Sequence, residues 1–231
     1  MTARSPLLLV PVVLASLVGC VDSDNFYIIQ MQIPAEGCTI SATDSTESLA
    51  QGLLDISLGI GYRGYPLVIN NLAATAGTDQ QPERNTVHFK GFQIRVDLGP
   101  VPAGGIDSAL LNYFDPKANV AITPSGGLLA GPAVLIKDEL AKALQPVIPE
   151  GLKPDVTVGI RAQGEVGGST VESGEFLFPI TLCKKCLVDL RATCPAADDK
   201  TVFSNACGVP QDKPVTCCST SFGFSCRSSG K

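Results

Sequence analysis

Cysteine offers this chain more chemistry than any other residue type: there are nine, against one histidine. Cys20 stands near the amino terminus; the others are Cys38, Cys183, Cys186, Cys194, Cys207, Cys217, Cys218 and Cys226. Zinc would use the Cys183-x-x-Cys186 unit with later cysteines. Cys217 and Cys218 have no spacer between them, however, and no histidine lies near, so no metal is expected. A redox CxxC opens a helix, whereas Cys183 closes an apolar strand pattern. Disulfides are the third chemistry. Cys217 and Cys218 should staple two different segments, because a ring between neighbours is strained. Cys183 and Cys186 pair only if Lys184 and Lys185 form a turn, since an extended strand would hold their Cα atoms about 10 Å apart, beyond a reach of about 7 Å. Apart from Cys20 and Cys38 all follow residue 182, so a bond from Cys38 to any of these must cross the chain. In the chain-entropy account such a loop contributes roughly 5 kcal/mol.

Other reactive groups are sparse. His88 sits on the parity opposite Val87 and Phe89, beside Lys90, and reads as a surface residue. There is no G-x-S-x-G nucleophile motif. Glu165, Glu172 and Glu175 gather around a Gly-rich turn and read as solvated charges, although a glycosidase-like carboxylate pair is invisible to sequence. Asp22, Asp24 and Asn25 fall short of a twelve-residue calcium loop. The Gly99–Gly105 loop lacks the Lys-Ser/Thr of a phosphate cradle. No catalytic residue and no cofactor is therefore expected. Tyr62, Arg63 and Tyr65 form a candidate recognition patch, being of the types favoured at interfaces.

Met1 to Gly19 carries one positive charge, Arg4, then an apolar run from Leu7 to Leu17, and ends Leu17-Val18-Gly19-Cys20. The uncharged stretch is short for a membrane span of about 20 apolar residues, and Pro11 interrupts it. This leader resembles the lipobox of bacterial lipoproteins. The resemblance implies that the Cys20 thiol receives a diacylglycerol group, that the chain is cut before it, and that the new amino terminus is acylated. Two acyl chains already anchor stably. Val21 follows in place of Asp, which by resemblance to lipoprotein sorting in other Gram-negative bacteria implies the outer membrane. With Cys20 assigned to lipid, the remaining cysteines are even in number, as expected for disulfides in an oxidising compartment. The lipobox, YPLVINNL at Tyr65–Leu72 and GEFLFPITLCKKCLV at Gly174–Val188 together resemble cysteine-rich lipoproteins of myxobacteria, a group that implies location and topology but no activity.

The elements that must position these residues alternate at period two. Tyr27, Ile29, Met31 and Ile33 predict one buried face; Leu54, Ile56, Leu58 and Ile60 predict a half-buried strand. Tyr65 to Leu72 reads as another. Between Val87 and Leu98 the apolar parity flips at Gly91, which predicts a bulge. Val120–Ile122 reads as a short strand. Val156 to Ala162 and Phe176 to Leu182 flank the hairpin signal Gly167-Gly168. A helix is expected from Pro132 to Pro146. The fold class read from this pattern is all-β, a β-sandwich with an immunoglobulin-like form as one candidate, one short helix and a disulfide-rich C-terminal tail. The divisions are a signal peptide (1–19), a lipidated tether (20–25), the sandwich (26–193) and a disulfide-stapled segment (194–231). With few aliphatics, that last segment needs crosslinks for order.

A net charge of −5 argues against nucleic acid as a partner. The expected protein is a non-enzymatic, lipid-anchored component of the outer membrane, held by acyl chains on Cys20. It would bind or assemble with another envelope protein or a polysaccharide, and the absence of Trp tilts the choice to protein. The alternatives are an exported hydrolase using a carboxylate pair, and a small-molecule carrier with an apolar cavity.

Overall fold

The computed structural model describes residues 25–42, 47–75, 83–196 and 199–228. The leader, Cys20, Asp22 and Asp24 lie outside the described residues. In chain order the first strands are β1 (Phe26–Gln32), β2 (Ser48–Leu49), β3 (Gly52–Asp55), β4 (Tyr62–Gly64), β5 (Pro66–Asn70), β6 (Val87–Asp97), β7 (Asn112–Ile122), β8 (Gly127–Ala130) and β9 (Ala133–Ile136). After the short helix α1 (Asp138–Leu144) come β10 (Asp155–Val166), β11 (Ser169–Glu172), β12 (Phe176–Cys183), β13 (Val188–Arg191), β14 (Val215–Thr220) and β15 (Gly223–Cys226).

Two sheets form the sandwich. The first has the order β2-β1-β5-β8; the second runs β3-β12-β10-β6-β7, with β11 folded back on β10. Ile28 and Val68 from the first meet Ile94, Val158 and Phe178 from the second in one buried core. Within these two sheets one pairing, β3 beside β12, is parallel; β13 beside β14 is parallel as well. A third, small sheet, β13-β14-β15, belongs to the cysteine-rich region. The architecture is thus all-β with one short helix and a crosslinked C-terminal region. Because the small sheet takes in β13, the architecture changes at the Cys183–Cys186 turn, ahead of residue 194.

The parity flip at Gly91 is a real bulge. Pairing of β6 shifts between Phe89 and Gly91 on one side and opposite Gln163–Gly164 on the other. Gly91 has φ +155°, and a Cβ there would collide with the Asp115 carbonyl. The hairpin at Gly167-Gly168 also forms, with both glycines at positive φ, joining β10 to β11.

Four expectations need correction. In β1 it is Phe26 and Ile28 that face the core, while Tyr27, Ile29 and Ile33 stay partly exposed. A bulge between Ile28 and Gln30 inverts the parity, so that only Met31 of the expected face is buried. The strand through Leu54 stops at Asp55, whose carboxylate accepts the Ser57 N–H and opens a 3-10 turn over Ile56–Leu58; Gly59 closes that turn at φ +64°. The short strand at Val120 is the end of the long β7, an edge strand whose mostly exposed residues and Pro116 hide the alternation. The first half of the expected helix is strand β9, which pairs with β4. Only Asp138–Leu144 is helical, burying Leu140, Ala141 and Leu144. There the Gln145 side chain donates to the Ile56 and Ser57 carbonyls, at 2.7 and 2.9 Å, and locks α1 to the 3-10 turn.

Candidate functional site

Every cysteine from Cys38 onward is bonded. Cys38 pairs with Cys207, Cys183 with Cys186, Cys194 with Cys218 and Cys217 with Cys226, at Cα separations of 4.5, 6.1, 5.0 and 4.0 Å. All four lie within or close to the range that a disulfide spans. The neighbours Cys217 and Cys218 staple two different segments, and Cys38 reaches across 169 residues. Lys185 takes φ +54°, supplying the turn that lets Cys183 and Cys186 meet.

Asp55 organises that turn. This fully buried carboxylate accepts the N–H groups of Lys185, Cys186, Leu187 and Val188 at 2.7 to 3.1 Å, together with the N–H and hydroxyl of Ser57. Burial alone would raise its pKa, but these hydrogen bonds outweigh burial and hold the carboxyl below its ordinary range. Asp55, Cys183 and Cys186 place their ligand-type atoms within 4.8 Å of one another. As a metal cradle the set is spent: the two sulfurs bond each other, and six donors occupy the carboxylate.

A second carboxylate sits where the C-terminal segment crosses the sandwich edge. Asp212 Oδ1 accepts the Leu53 N–H at 3.0 Å, and the Tyr62 hydroxyl donates to both of its oxygens, at 3.0 and 2.9 Å. Gln211 acts as a piece of strand, accepting the Arg63 N–H at 3.0 Å and donating to the Arg63 carbonyl at 2.9 Å. The Asp55 N–H reaches the Pro210 carbonyl and the Asp212 N–H the Leu53 carbonyl, so this segment covers the open edge of β3. Here burial wins, and the Asp212 carboxyl is raised above its ordinary value. Burial and the facing Asp212 charge also push the Tyr62 hydroxyl up. Beside this network an apolar cleft of about 100 Å³ opens between the end of β1, β2 and the C-terminal segment. Ile33, Pro34, Leu49, Ala206, Cys207 and Val209 wall it; Asn205, Gln211, Asp212 and Lys213 supply polar groups.

The candidate recognition patch does not survive as a surface. Tyr62 is 0% exposed, and its ring lies against Phe178. Tyr65 is also buried, its hydroxyl 3.0 Å from Cys38 Sγ and 3.1 Å from Cys207 Sγ. Only Arg63 faces solvent. The physical reason is strand parity: Tyr62 shares β4 with buried Gly64 and finds the Asp212 carboxylate inside, while Tyr65 packs its hydroxyl on the Cys38–Cys207 bridge. The acidic cluster also disperses. Glu165 pairs with Lys90 at 3.2 Å, Glu172 accepts from Gln163, and Glu175 holds Arg95 through two bonds of 2.9 and 3.0 Å. His88 is exposed on β6.

Sequence reasoning missed both aspartates. Asp55 lay inside an apparent strand alternation; Asp212 lay in a segment with no periodicity. An Asp two residues before Ser57 is a local turn signal that marks the first; the second has no local signal. The chain matches no family model and no curated protein.

Proposed function

We propose that this chain is an exported, lipid-anchored envelope protein with a binding or structural role, held at the outer membrane by acyl chains on Cys20. One observation carries the reading. Cys38 and every later cysteine pair among themselves, so that Cys20, at the end of the apolar leader, is the odd sulfur. Four bridges suit an oxidising compartment, and a lone cysteine after Leu17-Val18-Gly19 suits acylation. The apolar walls of the cleft favour an apolar side chain of a protein partner over a hydroxylated sugar.

The test is a Cys20→Ser variant expressed in the native host. The variant is expected to leave the membrane fraction while keeping its four disulfides. Continued sedimentation with membranes at the native level would overturn the anchor.

A further inference from the structure

The two outer faces of the sandwich differ in chemistry. On the second sheet the Arg95–Glu175 and Lys90–Glu165 ion pairs lie in the open, as expected of a solvated face. The first sheet has no charged residue in β1, β2, β5 or β8. Its inward residues Ile28, Val68 and Leu129 pack on the core, which turns the alternate positions outward. There Tyr27 stands opposite Ile69, and Ile69 opposite Leu128, in register across three strands. Tyr27 is 37% exposed and Ile29 is 36% exposed. An uncharged solvent face is unusual for an antiparallel sheet, because one side normally carries polar residues.

The position of this row identifies what covers it. Tyr27 is the second residue of β1, and its hydroxyl accepts from the Asn71 side chain at the same end of the sheet. At the other end of β5, Tyr65 is already covered by the Cys38–Cys207 bridge. The open part of the face is therefore the end from which the chain leads back to Cys20. Five peptide steps separate Cys20 from Asn25, at most about 18 Å of chain.

We propose that the outer face of the first sheet rests on the bilayer, with Tyr27, Ile29, Ile69 and Leu128 in the headgroup–acyl boundary. This inference rests on the lipid anchor proposed above. Acyl chains on Cys20 keep the bilayer within reach of Tyr27. A tyrosine flanked by aliphatics is the composition that membrane interfaces select. The acidic balance of the chain gives no attraction to anionic lipid, so burial of this row supplies the orientation. The ion-paired face of the second sheet then points away from the membrane.

The chain has no tryptophan, so a single introduced one reports its own surroundings. Lipidated Tyr27→Trp and Leu177→Trp variants are reconstituted into phosphatidylcholine vesicles carrying brominated acyl chains. Leu177 is an exposed residue of β12 in the second sheet. Circular dichroism and melting checks first establish that both variants fold. The expected result is a blue-shifted emission strongly quenched by the brominated lipid for Tyr27→Trp, and neither effect for Leu177→Trp. Flotation with the vesicles but no quenching of Tyr27→Trp overturns the docked face and leaves the anchor standing. Equal quenching of both variants also overturns it, as does a blue shift in detergent that tracks dimer formation. Failure to float removes the anchor, and the docked face with it.

Discussion

Asp55 and Asp212 are two carboxylates turned inward, and their surroundings drive them in opposite directions. Asp55 meets six donors and titrates below its ordinary value of 3.8; Asp212 is desolvated more than it is bonded and titrates above it. A depressed carboxyl contributes stability that is complete above the unfolded value and vanishes as pH falls through the folded one. Asp55→Asn should therefore cost on the order of 3 kcal/mol near neutral pH, because three of the six donors would face an amide donor. That deficit should shrink below pH 3.8, and urea melts at pH 7 and pH 3 measure it. Asp212 has the reverse sign. Its contribution is complete below 3.8 and declines as pH rises through its higher folded value. Asp212→Asn should thus gain stability relative to the native chain as pH rises from about 4 to 7. Melting curves in which the gap between the two proteins stays constant would contradict that environment.

Among the elements, the strongest local constraint is the bulge at Gly91. Gly91→Ala must adopt φ +155° and press on the Asp115 carbonyl, so a loss of about 2 kcal/mol or more is expected, read as a fall in the urea midpoint. The C-terminal segment is held by the Cys38–Cys207 bridge and the Gln211–Asp212 contacts. Replacing both cysteines with serine should cost up to about 5 kcal/mol and expose residues 205–213 to protease before the sandwich unfolds. A cleavage pattern unchanged from the native protein would show that the contacts suffice alone. Strands with a buried, regular period two, β6, β10 and β12, were legible in the sequence, as was the bulge, because each inward side chain is apolar. Strand β7 was not, since an edge strand buries few of its residues. Nor was β9, since Ala133–Ile136 runs into the helix and apolar runs fit either period. The partners of Asp55 and Asp212 come from segments far away in the chain, and no local pattern records them.

For the whole molecule, the cysteine bookkeeping, the charge asymmetry and the leader point to one arrangement. In the arrangement we propose, a crosslinked sandwich hangs from Cys20, with its uncharged sheet toward the bilayer and its ion-paired sheet toward solvent. Among the described residues no helix is long and apolar enough to cross a membrane; the attachment we propose is through acyl chains. Of the four disulfides only Cys38–Cys207 ties the C-terminal segment to the sandwich; the others close loops within that segment or at its start. The most direct check is intact-mass and peptide mass spectrometry of the protein extracted from native membranes, alkylated before reduction. The expected result is an amino terminus at Cys20 carrying diacylglycerol and a further acyl group, with the other eight cysteines unalkylated until reduced. An unmodified Cys20, or eight thiols open to alkylation in the unreduced protein, would contradict it.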